Sequence, residues 1–126
     1  MISLIVDNIL ENKLHSILEF DKSIRFVGLL LNDGTLESFV KRPGLVSFLD
    51  NNESQKSYLH TVLRAASYKA LDEKLGKSVW TITLRRNVKW ITVYITDFSM
   101  IIVSLEVASD HDKTIQKILE IFDVII

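Results

Sequence analysis

The sequence predicts an α+β domain: a five-stranded antiparallel sheet in a three-layer α/β/α sandwich, with elements in the order α-β-β-α-β-β-β-α. Three observations predict it. Apolar residues recur at three- and four-residue spacing in three segments, the spacing of one helix face. Between these segments lie five short runs rich in β-branched and aromatic residues. The links between neighbouring runs are a few residues long, which suits hairpins and leaves no room for parallel crossovers.

The first helix covers residues 2–20. Ile2, Val6, Ile9, Leu10, Leu14, Ile17 and Leu18 make its apolar stripe, with Asp7, Glu11, Asn12 and Ser16 opposite. Ile24–Leu31 and Leu36–Val40 then form a hairpin around Asn32-Asp33-Gly34, because Asp-Gly tolerates the positive φ of a tight turn. "IRFVGLLL" is apolar throughout, as a strand buried on both faces would be, and belongs inside the sheet. "TLESFV" carries Glu37 and Ser38 and belongs at an edge, where charge resists stray pairing. Residues 41–52 connect onward through a Pro43-Gly44 turn.

A second helix is expected from Glu53 to Leu75, capped by Asn51 or Asn52 and closed by Gly76 at its C′ position. Strands follow at Val79–Arg85, Trp90–Ile95 and Met100–Val107, joined by "RNVK" and "TDFS". Trp80, Ile82 and Leu84 alternate with Val79, Thr81 and Thr83. Ile91, Val93 and Ile95 alternate with Trp90, Thr92 and Tyr94, and Ile101, Val103 and Leu105 with Met100 and Ile102. Both sheet faces therefore carry bulky apolar groups and need a cover: one helix on one face, two on the other. The last helix starts at Ser109 or Asp110 and presents Ile115, Ile118, Leu119, Phe122 and Ile126 on one side.

Composition sets the outer bounds. The 126 residues suit a single domain over 1–126. Fifteen basic and sixteen acidic residues leave a formal net charge of -1, with no positive excess to draw nucleic acid or anionic lipid. Cysteine is absent, which removes disulfides, thiolate metal sites and a Cys nucleophile, and fits the cytoplasm. "MISLIVDNILENKL" has no basic leader and is broken by Asp7 and Glu11, so it does not read as a signal peptide. No stretch approaches the ~18 uninterrupted apolar residues of a membrane span. The chain is 48% hydrophobic with a mean hydropathy of +0.22, apolar enough that another copy is expected to cover part of its surface.

"IRFVG" at 24–28, Gly34, "LR" at 63–64, "LDEKLG" at 71–76, Arg85, and "VSLE" at 103–106 before "SDHD" resemble the roadblock/dynein light chain domain, a relative of the profilin-like and longin-like folds. More narrowly, the chain resembles a family of short archaeal proteins of that architecture. Its hairpin return strand departs from the pattern: "ESFV" stands where small residues and glycine are usual. The resemblance implies a non-enzymatic scaffold that pairs with itself through the second helix and third strand and engages a small GTPase or another regulatory protein.

The second helix carries two apolar faces. Leu59, Val62, Leu63, Ala66 and Ala70 form the stripe expected to pack on the sheet. Tyr58, Thr61, Arg64, Ala65, Tyr68, Leu71 and Leu75 lie away from it, a mixture enriched at interfaces. Either a second copy covers them or the 41–52 connection does, with Leu45, Val46, Phe48 and Leu49. The third strand, with Val79, Thr81, Thr83 and Arg85, completes the expected dimer joint if it lies at a sheet edge.

Chemistry is hard to find in the remaining residues. His15, His60 and His111 show no i, i+4 ligand pair, and "DHD" at 110–112 reads as a helix cap. Nucleophile elbows and phosphate loops are missing, and Asp72 and Glu73 read as solvated helix charge. No catalytic residue, metal or cofactor is therefore expected. Arg85, Arg86 and Lys89 form a basic cluster at an expected hairpin tip, suited to an acidic protein surface. The alternative function is small-molecule sensing, in a cavity between sheet and helix lined by Trp80, Trp90, Tyr94 and Phe98.

Overall fold

The computed structural model describes residues 2–126, with side chains from Asn8 onward; the expected roles of the Ile2, Val6 and Asp7 side chains lie outside the described residues. Helix α1 runs Ile2–Phe20 and strands β1 and β2 run Ile24–Leu31 and Leu36–Lys41. The turn between them closes through Leu31 N–H to Thr35 O at 2.9 Å, with Gly34 at φ 90° and the Asp33 carboxylate accepting from Thr35 N–H. That φ is the reason for glycine there.

The second helical segment is split. Helix α2 runs Asn51–Lys69 and a one-turn α3 runs Asp72–Leu75, in place of one continuous helix to Leu75. Its cap is Asp50, neither Asn51 nor Asn52: Asp50 and Glu53 form a reciprocal capping box. The break follows from a tether. Lys69 Nζ donates to Asp97 O at 2.7 Å and Lys77 Nζ pairs with the Asp97 carboxylate at 3.0 Å, so both ends of the 70–76 segment are held at one turn. Strands β3 (Trp80–Leu84), β4 (Lys89–Thr96) and β5 (Ser99–Leu105) and helix α4 (His111–Ile121) complete the chain. Asp110 caps α4. Ile126 does not share its apolar face, because Asp123 turns the chain at φ 53° and leaves Ile126 exposed.

The strand order is β2-β1-β5-β4-β3, antiparallel throughout. β1 is interior and β2 and β3 are the two edges. Helices α1 and α4 cover one face, where Leu14, Ile17, Ile115 and Ile118 meet Val27, Ile91, Val93, Ile101, Val103 and Leu105. Helix α2 covers the other, where Tyr58 meets Leu30, Met100 and Ile102. Gly28 lies on this second face because a Cβ there would stand 2.8 Å from Leu36 Cδ1 and 3.0 Å from Phe26 Cε1.

The orientation of α2 is rotated from the expected one. Tyr58 and Thr61 are buried against the sheet, with Val62 and Ala65 beside them, while Leu59, Leu63, Ala66 and Ala70 face out. The pattern is still i, i+3, i+4, i+7, turned by one residue step. The aromatic ring of Tyr58 fills the space over Leu30 and Met100, and Thr61 is tolerated there because its hydroxyl donates to Ser57 O at 3.0 Å.

Candidate functional site

The outer edge of β3 is the most exposed apolar feature of the sheet. Two hydrogen bonds fix which backbone groups point outward. Tyr94 N–H donates to Val79 O at 3.0 Å, and Arg85 N–H donates to Val88 O at 2.9 Å. Antiparallel partners alternate between bonded and unbonded pairs. Thr81–Thr92 and Thr83–Trp90 are therefore bonded to β4, and the N–H and C=O of Trp80, Ile82 and Leu84 face away from the sheet. On the α1/α4 side of this edge Trp80 is 39% exposed and Leu84 67% exposed. On the α2 side lie Thr81 and Thr83, opposite Thr92 and Trp90.

Above that edge stand Arg64 and Tyr68, both exposed on α2. They gather around Tyr94. Burial pushes the Tyr94 phenol above its ordinary value, the Thr81 hydroxyl and the Arg64 guanidinium pull it back, and Tyr68 adds to the rise. Arg64 Nη2 also donates to Thr61 Oγ1 at 3.3 Å. Leu71 and Leu75 are exposed just beyond, on the segment tethered at Asp97, whose carboxyl is held low by its hydrogen bond from Lys77.

Thus the structure brings Arg64, Tyr68 and Thr81 together around Tyr94 and keeps Thr83, Leu71, Leu75 and Arg85 exposed. It does not leave the remaining expected joint residues free. Tyr58 and Thr61 are buried in their own subunit, Ala65 is half-buried there, and Val79 packs on the α1/α4 core. Sequence reasoning missed Trp80 and Leu84 as surface groups. Their alternation was visible, but their exposure depends on β3 having no neighbour beyond it.

The basic cluster also divides. Arg85 and Arg86 are exposed at the β3–β4 turn, whereas Lys89 is only 7% exposed. Its ammonium donates to Ser109 O at 2.5 Å and to His111 Nδ1 at 3.0 Å, tying β4 to the start of α4. Lys89 is a structural brace and not part of a tip surface.

The 41–52 connection does not cover α2. Arg25 holds it, with Nη2 donating to Val46 O at 2.9 Å and the guanidinium 4.4 Å above the Phe48 ring, while Arg25 Nη1 pairs with Glu106 at 2.8 Å. Nor do the four aromatics of the expected cavity converge. Trp80 lies on the α1/α4 side, Trp90 and Tyr94 on the α2 side, and Phe98 is exposed at the β4–β5 turn. The larger recess is an open groove of about 660 Å³ between Tyr68, Val79, Tyr94 and Ile125. Among the described residues no three His, Asp or Glu side chains are placed to hold a metal ion, and no helix is long and apolar enough to cross a membrane.

No family model matches the sequence, and no curated protein matches it. Solved structures do match in shape. A roadblock/LC7 domain from Streptomyces avermitilis superposes with a TM-score of 0.69 at 9% identity, over 88% of this chain and 89% of that one. The gliding protein MglB of Thermus thermophilus superposes with a TM-score of 0.70 at 9% identity, over 92% and 90%. An MglB with a tetrameric arrangement superposes with a TM-score of 0.68 at 10% identity, over 93% and 89%. Identities this low carry the fold alone, and the chain has the roadblock fold.

Proposed function

We propose that this chain is a non-enzymatic interaction module that acts as a homodimer, joined edge to edge through β3 and flanked by α2. One observation carries the reading: the β3 edge is complementary to itself. A twofold axis beside Ile82 sets Trp80 against the partner's Leu84, and Leu84 against the partner's Trp80. It also sets Thr81 beside the partner's Thr83 on the other face, a favourable cross-strand pair. The outward N–H and C=O groups of Trp80, Ile82 and Leu84 then complete a ladder between copies, and two exposed apolar side chains per subunit leave water.

The exposed α2 residues Arg64 and Tyr68, with Leu71 and Leu75 beyond them, border this joint and form with their copies a composite platform. The resemblance to roadblock domains suggests a small GTPase or another regulatory protein as the partner, in the cytoplasm. The tetrameric arrangement of one structural neighbour supports a fold suited to assembly between copies.

Sedimentation equilibrium at tens of micromolar tests the joint. The parent is expected as a dimer and Leu84→Pro as a monomer of unchanged far-UV circular dichroism. Leu84 suits the proline because its N–H points outward; at Thr81 a proline would remove a bond to β4. A monomeric parent overturns the reading.

A further inference from the structure

Helix α2 turns a face to water that is apolar and basic at once. Tyr58, Thr61, Val62 and Ala65 point at the sheet. The residues opposite them form two rows along the helix. One row is Leu59, Leu63, Ala66 and Ala70, with Leu59 51% and Leu63 66% exposed. The other is Lys56, His60 and Arg64, at successive i, i+4 positions and all exposed. A solvated helix ordinarily sets a carboxylate four residues from its Lys and Arg side chains, and like charges at that spacing cost stability. Here the carboxylates are missing. From Ser54 to Leu71 the sequence holds no Asp or Glu, although the chain has sixteen acidic residues. Among the described residues Lys56, His60 and Arg64 enter no ion pair.

Charge decides what can cover this face. A second copy is disfavoured: about a twofold axis at His60, Lys56 meets the partner's Arg64 and the two basic rows repel. A flat anionic bilayer is disfavoured too, because acids bracket the stretch. Asp50 and Glu53 stand at its start in the capping box, and Asp72 and Glu73 at its end on α3. Both pairs would meet the lipid headgroups. What fits between them is an occupant of finite length, about 20 Å at the rise of an α-helix. It must carry apolar groups along one row and negative charge beside it. An amphipathic helix has that form, and rows at i, i+4 spacing are the ridges between which a second helix packs. Ala66 and Ala70 keep the far end of the apolar row low, so the second helix can approach the α2 backbone there.

We infer that the outward face of α2 is a docking site for an acidic amphipathic helix of another protein. Its apolar row packs along Leu59 and Leu63, and its carboxylates pair with Lys56 and Arg64. The inference rests on the interaction-module reading but not on the β3 joint, since every contact comes from one subunit.

Displayed helical peptides of about four turns test it. Each carries leucine at i, i+3, i+4 and i+7, with the flanking positions randomised between Glu and Lys. Selection on the parent protein is expected to enrich Glu at the flanks. By fluorescence anisotropy the enriched peptide is expected to bind about tenfold more tightly than its all-Lys counterpart, a gap that narrows as salt is raised. Leu59→Ser, Leu63→Ser is expected to lose binding at unchanged far-UV circular dichroism, because both side chains are exposed. Lys56→Glu, Arg64→Glu is expected to turn the preference toward Lys flanks. Should that variant unfold, Lys56→Glu alone is expected to reduce the preference for Glu. Leu84→Pro is expected to select the same peptides as the parent. A monomeric parent that keeps the Glu preference therefore removes the β3 joint and leaves this site standing. No retained peptide, equal enrichment of Glu and Lys, or binding that survives Leu59→Ser, Leu63→Ser overturns the inference. So does binding to phosphatidylserine vesicles in place of the Glu-flanked peptides.

Discussion

At the scale of residues, Lys89 illustrates how charge in a sequence misleads about position. It stands four residues after Arg85 in a run that reads as a basic tip, yet its ammonium lies inside, against Ser109 O and His111 Nδ1. Spacing in the chain cannot reveal this, because the carbonyl that recruits it comes from a turn twenty residues later. Its burial makes a prediction. Lys89→Ala removes the donor to a carbonyl at the start of α4 and leaves a cavity, for a cost of about 1–3 kcal/mol. Arg85→Ala and Arg86→Ala, at exposed turn positions, fall within about 0.5 kcal/mol of the parent. Urea unfolding of the three variants separates the two environments. Equal effects would return Lys89 to the surface cluster.

At the scale of elements, periodicity locates all the strands and the first helix to within two residues at each end, because alternation and caps are local chemistry; the last helix starts where its cap predicts but ends at Ile121, short of Ile126, because Asp123 turns the chain. Helix α2 was found too, but its inward face was misjudged. Leu59 and Leu63 look more hydrophobic than Tyr58 and Thr61, and composition alone favours burying them. The decision lies in the shape of the sheet, where Leu30, Met100 and Ile102 leave a site that one aromatic ring fills. Stability measurements recover that orientation directly. Tyr58→Ala is expected to cost roughly 3 kcal/mol by opening the smaller core, whereas Leu63→Ala, at 66% exposure, stays within about 0.5 kcal/mol. The reverse order of effects would restore the Leu59–Leu63 stripe to the interior. The same rotation is what leaves Leu59 and Leu63 in water while Arg64 and Tyr68 turn toward the β3 side.

At the scale of the whole molecule, the β3 edge of the sheet is a sequence that reads the same way to its own copy. The pairing proposed there rests on burial of Trp80 and Leu84. Tryptophan emission can tell whether that edge is engaged. The chain has two tryptophans, Trp80 at the β3 edge and Trp90 under α2. Among the described residues Trp90 Nε1 is buried with no hydrogen-bond partner, so Trp90→Phe keeps most of the ring, removes an unsatisfied donor and leaves stability nearly unchanged. In that background Trp80 is the sole emitter. Pairing at β3 buries its exposed face against the partner's Leu84, and its emission maximum is expected to move to shorter wavelength as protein concentration rises through the dissociation constant. Adding Leu84→Pro abolishes the shift. Dimerisation by sedimentation with no change in Trp80 emission would place the joint away from β3.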